Sequence, residues 1–360
     1  MDQPHRLLYR QTGFPVLQNR LFASREAALN CASGDICLVQ DCRTGLVRNA
    51  AFDPTLLEYD ASYHNEQEYS AAFQAHLTAV ADLVERLLGK ERLVEVGCGK
   101  GYFLGLLTAR GSQVTGFDPT YDGDSPRVHK SFVEPSISLA ADGIILRHVL
   151  EHIPDPVGFL NHIRNANGGR GLVYIEVPCF DWICRNRAWF DIFYEHVNYF
   201  RLEDFGRMFS DVVMAGRLFG DQYLFCVAEL DSLRTPVQSG WTQVHMPSDF
   251  APPRRWAKSI GSCGHEKREA VWGCASKGVI FSLLRKRAGA PIDVAIDINP
   301  KKRGMFLPGS GLEVLPPAQG LAALPPGSTI YMMNPMYAHE IEAQGGDAYR
   351  YVCLSPLSQS

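Results

Sequence analysis

The chain is short of several features that mark specialised protein classes. It has no excess of positive charge: Lys and Arg total 35 against 39 Asp and Glu in 360 residues, a formal net charge of -4. No global field therefore exists to hold DNA, RNA or an anionic membrane, and neither nucleic acid nor membrane is an expected partner. It also has no long apolar run. The longest stretch free of charged side chains, residues 314–339, is broken by Pro316, Pro317, Pro325, Pro326 and Pro335 and cannot cross a bilayer as one helix. The opening residues MDQPHRLLYRQTGFPV lack the continuous apolar core of a secretory leader. The expected location is cytoplasmic, with the ten cysteines reduced.

What remains is an ordinary globular composition, with 46% hydrophobic and 21% charged residues, in a chain long enough for two or three domains. Residues 1–75 are polar and irregular, with short apolar runs such as Ile36-Cys37-Leu38-Val39, and are expected to form a small mixed domain and lid. From Tyr69 onward, Phe73, Leu77, Val80, Leu83, Val84 and Leu87 recur at helical spacing until Gly89. Strands at 93–96, 114–117, 143–146 and 171–177 then alternate with helices at 102–109 and near 157–164, the βαβ grammar of a parallel sheet. A proline-bearing segment, 231–255, reads as a linker or crossing loop. Beyond it a strand at 270–273, a helix to Arg287 and a strand at 294–296 ending on Asp297 predict a second doubly wound unit. The expected class is α/β, with domains at 1–75, 76–240 and 241–360.

Glu95-Val96-Gly97-Cys98-Gly99-Lys100-Gly101 places three glycines between a strand and a helix, where a ligand can approach backbone amides. The spacing is G-x-G-x-G, not the G-x-G-x-x-G of dinucleotide folds, and Asp118 ends the next strand. This points to an adenosine ligand without a pyrophosphate. The competing plain reading is that the glycines only let the helix pack tightly on the sheet.

Two polar segments follow at strand ends, where open α/β sheets carry their sites. One is Arg147-His148-Val149-Leu150-Glu151-His152; the other, Phe193-Tyr194-Glu195-His196-Val197-Asn198-Tyr199-Phe200, packs a carboxylate, an imidazole and two phenols among apolar neighbours. A histidine suits general acid–base work near neutral pH, such as removal of a proton beside a carbonyl. His196 is the leading candidate base. The plain alternatives are that His152 only shapes a wall of the cofactor site and that the Tyr194-Glu195-His196 cluster only fixes a loop.

The first glycine motif and Asp118 resemble those of class I S-adenosylmethionine-dependent methyltransferases. With Gly273-Cys274-Ala275-Ser276-Lys277-Gly278, Asp297-Ile298-Asn299-Pro300 and the later Asn334 and Glu340, nearly the whole chain resembles the deoxysugar C-methyltransferases. Those enzymes methylate a carbon of nucleotide-linked 4-keto-deoxysugars and combine a small N-terminal domain, a methyltransferase domain and a second Rossmann-like domain. The resemblance implies S-adenosylmethionine as cofactor, held by Glu95, Gly97, Gly99, Gly101, Asp118 and Arg147, with Tyr63 and Ser70 approaching from the lid. It implies His196 as base, supported by Glu195 and His152. It places Ser276, Lys277 and Asn334 around a nucleotide-linked sugar in the interdomain cleft; Tyr194, Tyr199 and Gln222 are further candidate substrate contacts, and a monomer or weak homodimer is expected.

The chain also departs from that family. The relatives bind zinc through N-terminal C-x-x-C pairs, but Cys31, Cys37 and Cys42 are irregularly spaced, so no metal is expected. Gly220-Asp221-Gln222-Tyr223 replaces a glycine-rich substrate strand, and Phe193 stands where some relatives carry a tyrosine. Oxygen or nitrogen methylation of a small metabolite, a non-catalytic cofactor-binding scaffold and, more weakly, a nicotinamide dehydrogenase remain as alternatives.

Overall fold

The computed structural model describes residues 5–57, 69–134, 136–236, 240–250 and 267–354. The chain has the expected α/β class, built on three sheets.

The first sheet is antiparallel, with β1 (His5–Pro15), β2 (Ser33–Asp41), β3 (Val47–Asn49) and, at its far edge, β9 (Asn198–Tyr199). Register shifts between Leu7 and Tyr9 and between Gln11 and Phe14 break the alternation of β1, so an eleven-residue strand left no clean two-residue period in the sequence. Because β9 belongs to the histidine-rich segment, pairing of Val47 with Tyr199 ties that segment to the N-terminal sheet. The expected linker is also fastened there. The Gln40 side chain donates to the Thr242 carbonyl (3.0 Å) and accepts from the Val244 amide (2.9 Å).

The central sheet has seven strands in the order β10 (Val212–Leu218), β11 (Tyr223–Glu229), β8 (Leu172–Pro178), β7 (Gly143–Arg147), β4 (Leu93–Val96), β5 (Val114–Phe117) and β6 (Val128–His129). Strands β4 to β8 run parallel, and β11 returns antiparallel to β8. Parallel strands are covered on both faces, which is why 93–96 and 143–147 read as nearly unbroken aliphatic runs. Across the parallel strands the charged exceptions are Glu95 in β4, Arg147 in β7 and Glu176 in β8, and the two carboxylates are buried near the strand C-terminal ends. A carboxylate in such a place needs partners, and its presence marks the edge where the chemistry sits.

Helix Ala71–Leu88 covers one face. The Ser70 hydroxyl caps it by accepting from the Phe73 amide (3.2 Å), and Gly89, at φ +82°, ends it. Phe73, Leu77, Val80, Val84 and Leu88 enter one apolar cluster with Leu93, Leu104, Leu107, Ile145 and Tyr174. Each such side chain contributes about 1.5–3 kcal/mol on burial.

The third sheet is wholly parallel, in the order β14 (Val314–Leu315), β13 (Val294–Ile296), β12 (Glu269–Trp272), β15 (Thr329–Met332) and β16 (Arg350–Cys353). Helix Ser276–Arg287 follows β12 and docks on the central unit by stacking Phe281 on Trp189. Among the described residues no helix is long and apolar enough to cross a membrane.

Candidate active site

The first glycine loop leaves β4 at the C-terminal edge of the central sheet. Gly97, Gly99 and Gly101 all take left-handed backbone, at φ +75°, +55° and +77°. A Cβ on Gly97 would lie 2.4 Å from a Val149 methyl, so the loop packs directly against the turn that carries His148 to His152. In front of Gly99, by contrast, no atom of the described residues lies within 4 Å of where a Cβ would stand. Asp118 fixes the loop by accepting from the Gly99 amide (2.8 Å) through one oxygen and from the Thr120 amide (2.8 Å) through the other. Glu95 is 2% exposed, and its Oε2 has no hydrogen-bond partner among the described residues. Burial, opposed by the Arg147 charge, pushes its carboxyl up to about 8. Open space before Gly99, beside a buried carboxyl oxygen that no described residue satisfies, fits a ligand that brings hydrogen-bond donors and a cationic centre.

Next to it, a charged network fills the ends of β7 and β8. Glu176, fully buried, pairs with Arg147 (3.2 Å), His76 (3.1 Å) and His148 (3.2 Å) and accepts from the Tyr174 hydroxyl (2.7 Å). Burial works against the ionised carboxylate, but the Arg147 charge and the two histidines hold Glu176 well below the usual range. His148 sits at φ +52°, a strained conformation for a non-glycine residue, pinned between Glu176 and Glu151 (both 3.2 Å). Burial disfavours its imidazolium, yet those carboxylates outweigh it and push His148 up to about 9. Arg147, expected to touch the cofactor, is instead engaged by Glu176 and lies over the Phe103 ring.

A cavity of about 210 Å3 opens where the three sheets meet. The central unit lines it with His148, Glu151, His152, Glu195 and His196, and the C-terminal unit with Ser276, Lys277, Lys302 and Asn334. The two histidine segments are stitched together by the Val197 amide donating to the Glu151 carbonyl (2.8 Å) and the Asn198 side chain donating to the Ile153 carbonyl (2.6 Å). This brings His152 and His196 edge to face, with ring centroids 5.0 Å apart. His152 Nδ1 bonds to the Glu195 backbone carbonyl (3.0 Å), while the Glu195 carboxylate accepts from the Gln18 amide (2.6 Å). His196 has no hydrogen-bond partner among the described residues and packs on Phe193. Burial first, then the nearby His152, His148 and Lys277, holds its pKa well below the ordinary value, so the ring is neutral at physiological pH.

Of the residues expected at the substrate, Gln222, Lys277 and Asn334 are brought together. Lys277 Nζ donates to Gln222 Oε1 (2.9 Å), and Gln222 Nε2 donates to Asn334 Oδ1 (2.8 Å). Lys277 also pairs with Asp191 (2.9 Å), which the sequence reading missed because Trp189-Phe190-Asp191 carries no motif. Ser276 donates to Asn19 Oδ1 (3.0 Å). Ser70 borders the cavity, but its hydroxyl caps its helix and donates to Glu340 (3.2 Å). Tyr194 and Tyr199 do not line the cavity. The Tyr194 hydroxyl accepts from the Asp53 amide (2.8 Å) and that of Tyr199 from the Phe193 amide (3.0 Å), so both phenols anchor main chain instead of facing substrate. Tyr63 lies outside the described residues.

Residues 69–212 match a family model described as a methyltransferase domain. The central unit is a methyltransferase domain. Its cofactor is S-adenosylmethionine, for which the open glycine cradle, Asp118 and the unsatisfied Glu95 carboxyl are suited. Across a larger span the enzyme is similar to the C-methyltransferase NovU of Streptomyces niveus, at 25% identity over 283 residues, covering 68% of this chain and 67% of the relative. Solved structures that align with it include the 1,6-didemethyltoxoflavin-N1-methyltransferase of Burkholderia thailandensis (16% identity, 51% of this chain and 95% of that chain, TM-score 0.34). Another is the magnesium protoporphyrin IX methyltransferase of Synechocystis PCC 6803 (15% identity, 46% of this chain and 86% of that chain, TM-score 0.32).

Proposed function

We propose that the methyltransferase acts on carbon, adding a methyl group beside the carbonyl of a nucleotide-linked keto-deoxysugar, with His196 as general base. The observation that carries this reading is the imidazole of His196, set in the cavity wall with no hydrogen bond to a described residue. Transfer to a hydroxyl needs little from the protein beyond positioning, whereas transfer to carbon needs a group that takes the α-proton. The name of the NovU relative and the three-unit organisation support the same acceptor class.

In this reading the α-proton passes to a ring nitrogen of His196, and the electron pair it leaves delocalises onto the carbonyl oxygen as an enolate. S-adenosylmethionine, where bound, would supply an electrophilic methyl on a positively charged sulfur, and transfer to that carbon would break the S–CH3 bond and leave its electron pair on the sulfur as a neutral thioether. His152, oriented by the Glu195 carbonyl, packs edge to face against His196 and limits the positions its ring can adopt. Lys277, fixed by Asp191 and Gln222, marks the side of the cavity suited to the phosphates.

The test is incubation in deuterated water with a panel of nucleotide-linked 4-keto-deoxysugars, with and without the methyl donor, followed by mass spectrometry. The wild type should exchange one α-proton and gain one methyl, and His196→Ala should lower both rates by about 100-fold or more. Methylation that survives His196→Ala without any exchange would assign the acceptor to oxygen or nitrogen.

A further inference from the structure

The cavity contains a second set of donors that the proton-transfer reading does not use. One donor atom from each of Glu151, His152 and His196 lies within 4.8 Å of the other two. We propose that these three residues form a binding site for a borderline divalent transition-metal ion of the zinc or cobalt class.

Three observations converge on it. Glu151 is 1% exposed and borders the cavity, and its Oε2 has no hydrogen-bond partner among the described residues, a costly arrangement for a buried carboxylate that a cation relieves. His152 is held at Nδ1 by a backbone carbonyl, which puts the proton there and makes Nε2 the lone-pair atom; the same outer bond orients metal-binding histidines generally. The other Glu151 oxygen is held by His148, so the carboxylate too is oriented from behind. Two imidazoles and one carboxylate are the ligand set that borderline ions accept, and small side-chain rotations bring atoms at this spacing to bonds of about 2.0–2.2 Å. Three protein ligands leave a further position open toward the cavity.

The site stands on this geometry alone, but its consequence rests on the proposed base. An ion that ligates His196 takes up the lone pair needed for the α-proton, so the metal-bound enzyme is switched off for proton removal.

The full-length protein, stripped with a chelator, is titrated with Co2+ and followed by calorimetry and visible absorption. About one equivalent should bind with the spectrum of nitrogen and oxygen ligands, and His152→Gln should weaken binding by at least about tenfold. Glu151→Gln should do the same; if loss of the buried charge prevents folding, the partly exposed His152 carries the test. Equal affinity in wild type and His152→Gln, no saturable binding, or thiolate charge-transfer bands that place the ion on cysteine would each overturn the site. Deuterium exchange then separates the two ideas. Co2+ should suppress it and chelator should restore it. If the ion binds with the expected residue dependence and exchange continues, the site holds and the assignment of His196 as base falls.

Discussion

The protein contains the same strand-loop-helix twice, and the two copies differ in what fills them. After β4 the Gly97 amide donates to the Phe117 carbonyl (2.8 Å), and Asp118 accepts from Gly99 and Thr120 (both 2.8 Å). After β12 the Gly273 amide donates to the Ile296 carbonyl (2.9 Å), and Asp297 accepts from Cys274 (2.7 Å) and Asn299 (2.8 Å). The backbone grammar matches closely, except that the aspartate takes the amide two residues after the first glycine in one loop and one residue after it in the other. Yet the second loop, although its residues border the cavity, is tied closed by side chains from elsewhere in the chain. Lys302 pairs with Asp297 (3.2 Å), the Asn19 side chain accepts from the Ser276 amide (3.1 Å), and a Cβ on Gly278 would lie 1.9 Å from the Gly273 carbonyl oxygen. The first loop has open space before Gly99 and a buried carboxyl oxygen without a partner. A glycine-rich turn at a strand end therefore establishes a conformation; whether it receives a cofactor depends on what stands in front of it and what holds it.

The largest effects should fall on the closed loop. Asp297→Asn removes the anion beside an ammonium that is 5% exposed, and an uncompensated buried charge costs about 3–5 kcal/mol. Its counterpart Asp118→Asn strands no cation, so it should change stability by about 1 kcal/mol or less and instead weaken cofactor binding. Thermal unfolding and binding calorimetry on both variants check this, and equal loss of stability in the two would erase the distinction. Gly278→Ala comes next. Its Cβ meets main-chain oxygen, which cannot rotate away, so helix Ser276–Arg287 must shift at a cost of about 2–3 kcal/mol.

The fold was legible where local rules suffice. Strands 93–96, 114–117 and 294–296 coincide with their apolar runs, and helix Ala71–Leu88 buries the side chains its spacing selects. Legibility failed where a side chain's partner is remote in sequence. Nothing near Tyr194 shows that its hydroxyl meets Asp53, nor anything near Gln40 that it holds Val244. The cavity illustrates the same limit. The motifs pointed to His152 and His196, but Glu151, sharing a segment with His152, gains its meaning only once the fold leaves one of its oxygens buried and unsatisfied.

A smaller effect separates the loops by pH. Glu95 titrates near 4.5 when unfolded and is pushed up to about 8 in the fold by burial, so folding favours its neutral form. The stability it contributes is complete below about pH 4.5 and is lost as pH rises through about 8. Asp204, buried and pushed up to about 7, acts with the same sign but is exhausted a unit earlier. Between pH 7 and 8 the wild type should therefore lose about 1 kcal/mol more than Glu95→Gln; His148, pushed up to about 9, and the tail of Asp204 give both proteins a shared loss over the same interval, so the melting temperature falls more steeply in the wild type. An equal loss of stability over that interval in the two proteins would remove Glu95 as the source of the difference.

Gly99→Ala should perturb stability least and reveal most about the open loop. At φ +55° an alanine carries about 1 kcal/mol of strain, but its Cβ meets no atom within 4 Å and leaves the amide bond to Asp118 in place. The fold should barely register it. The added methyl enters the space before the loop amides, where an adenosine ligand must approach, so S-adenosylmethionine affinity should fall by at least about tenfold, some 1.4 kcal/mol. Gly278→Ala should show the reverse, a destabilised fold with cofactor affinity retained. Unchanged cofactor binding in Gly99→Ala would mean that the open space is not where the ligand lies, and the contrast between the two loops would then rest on stability alone.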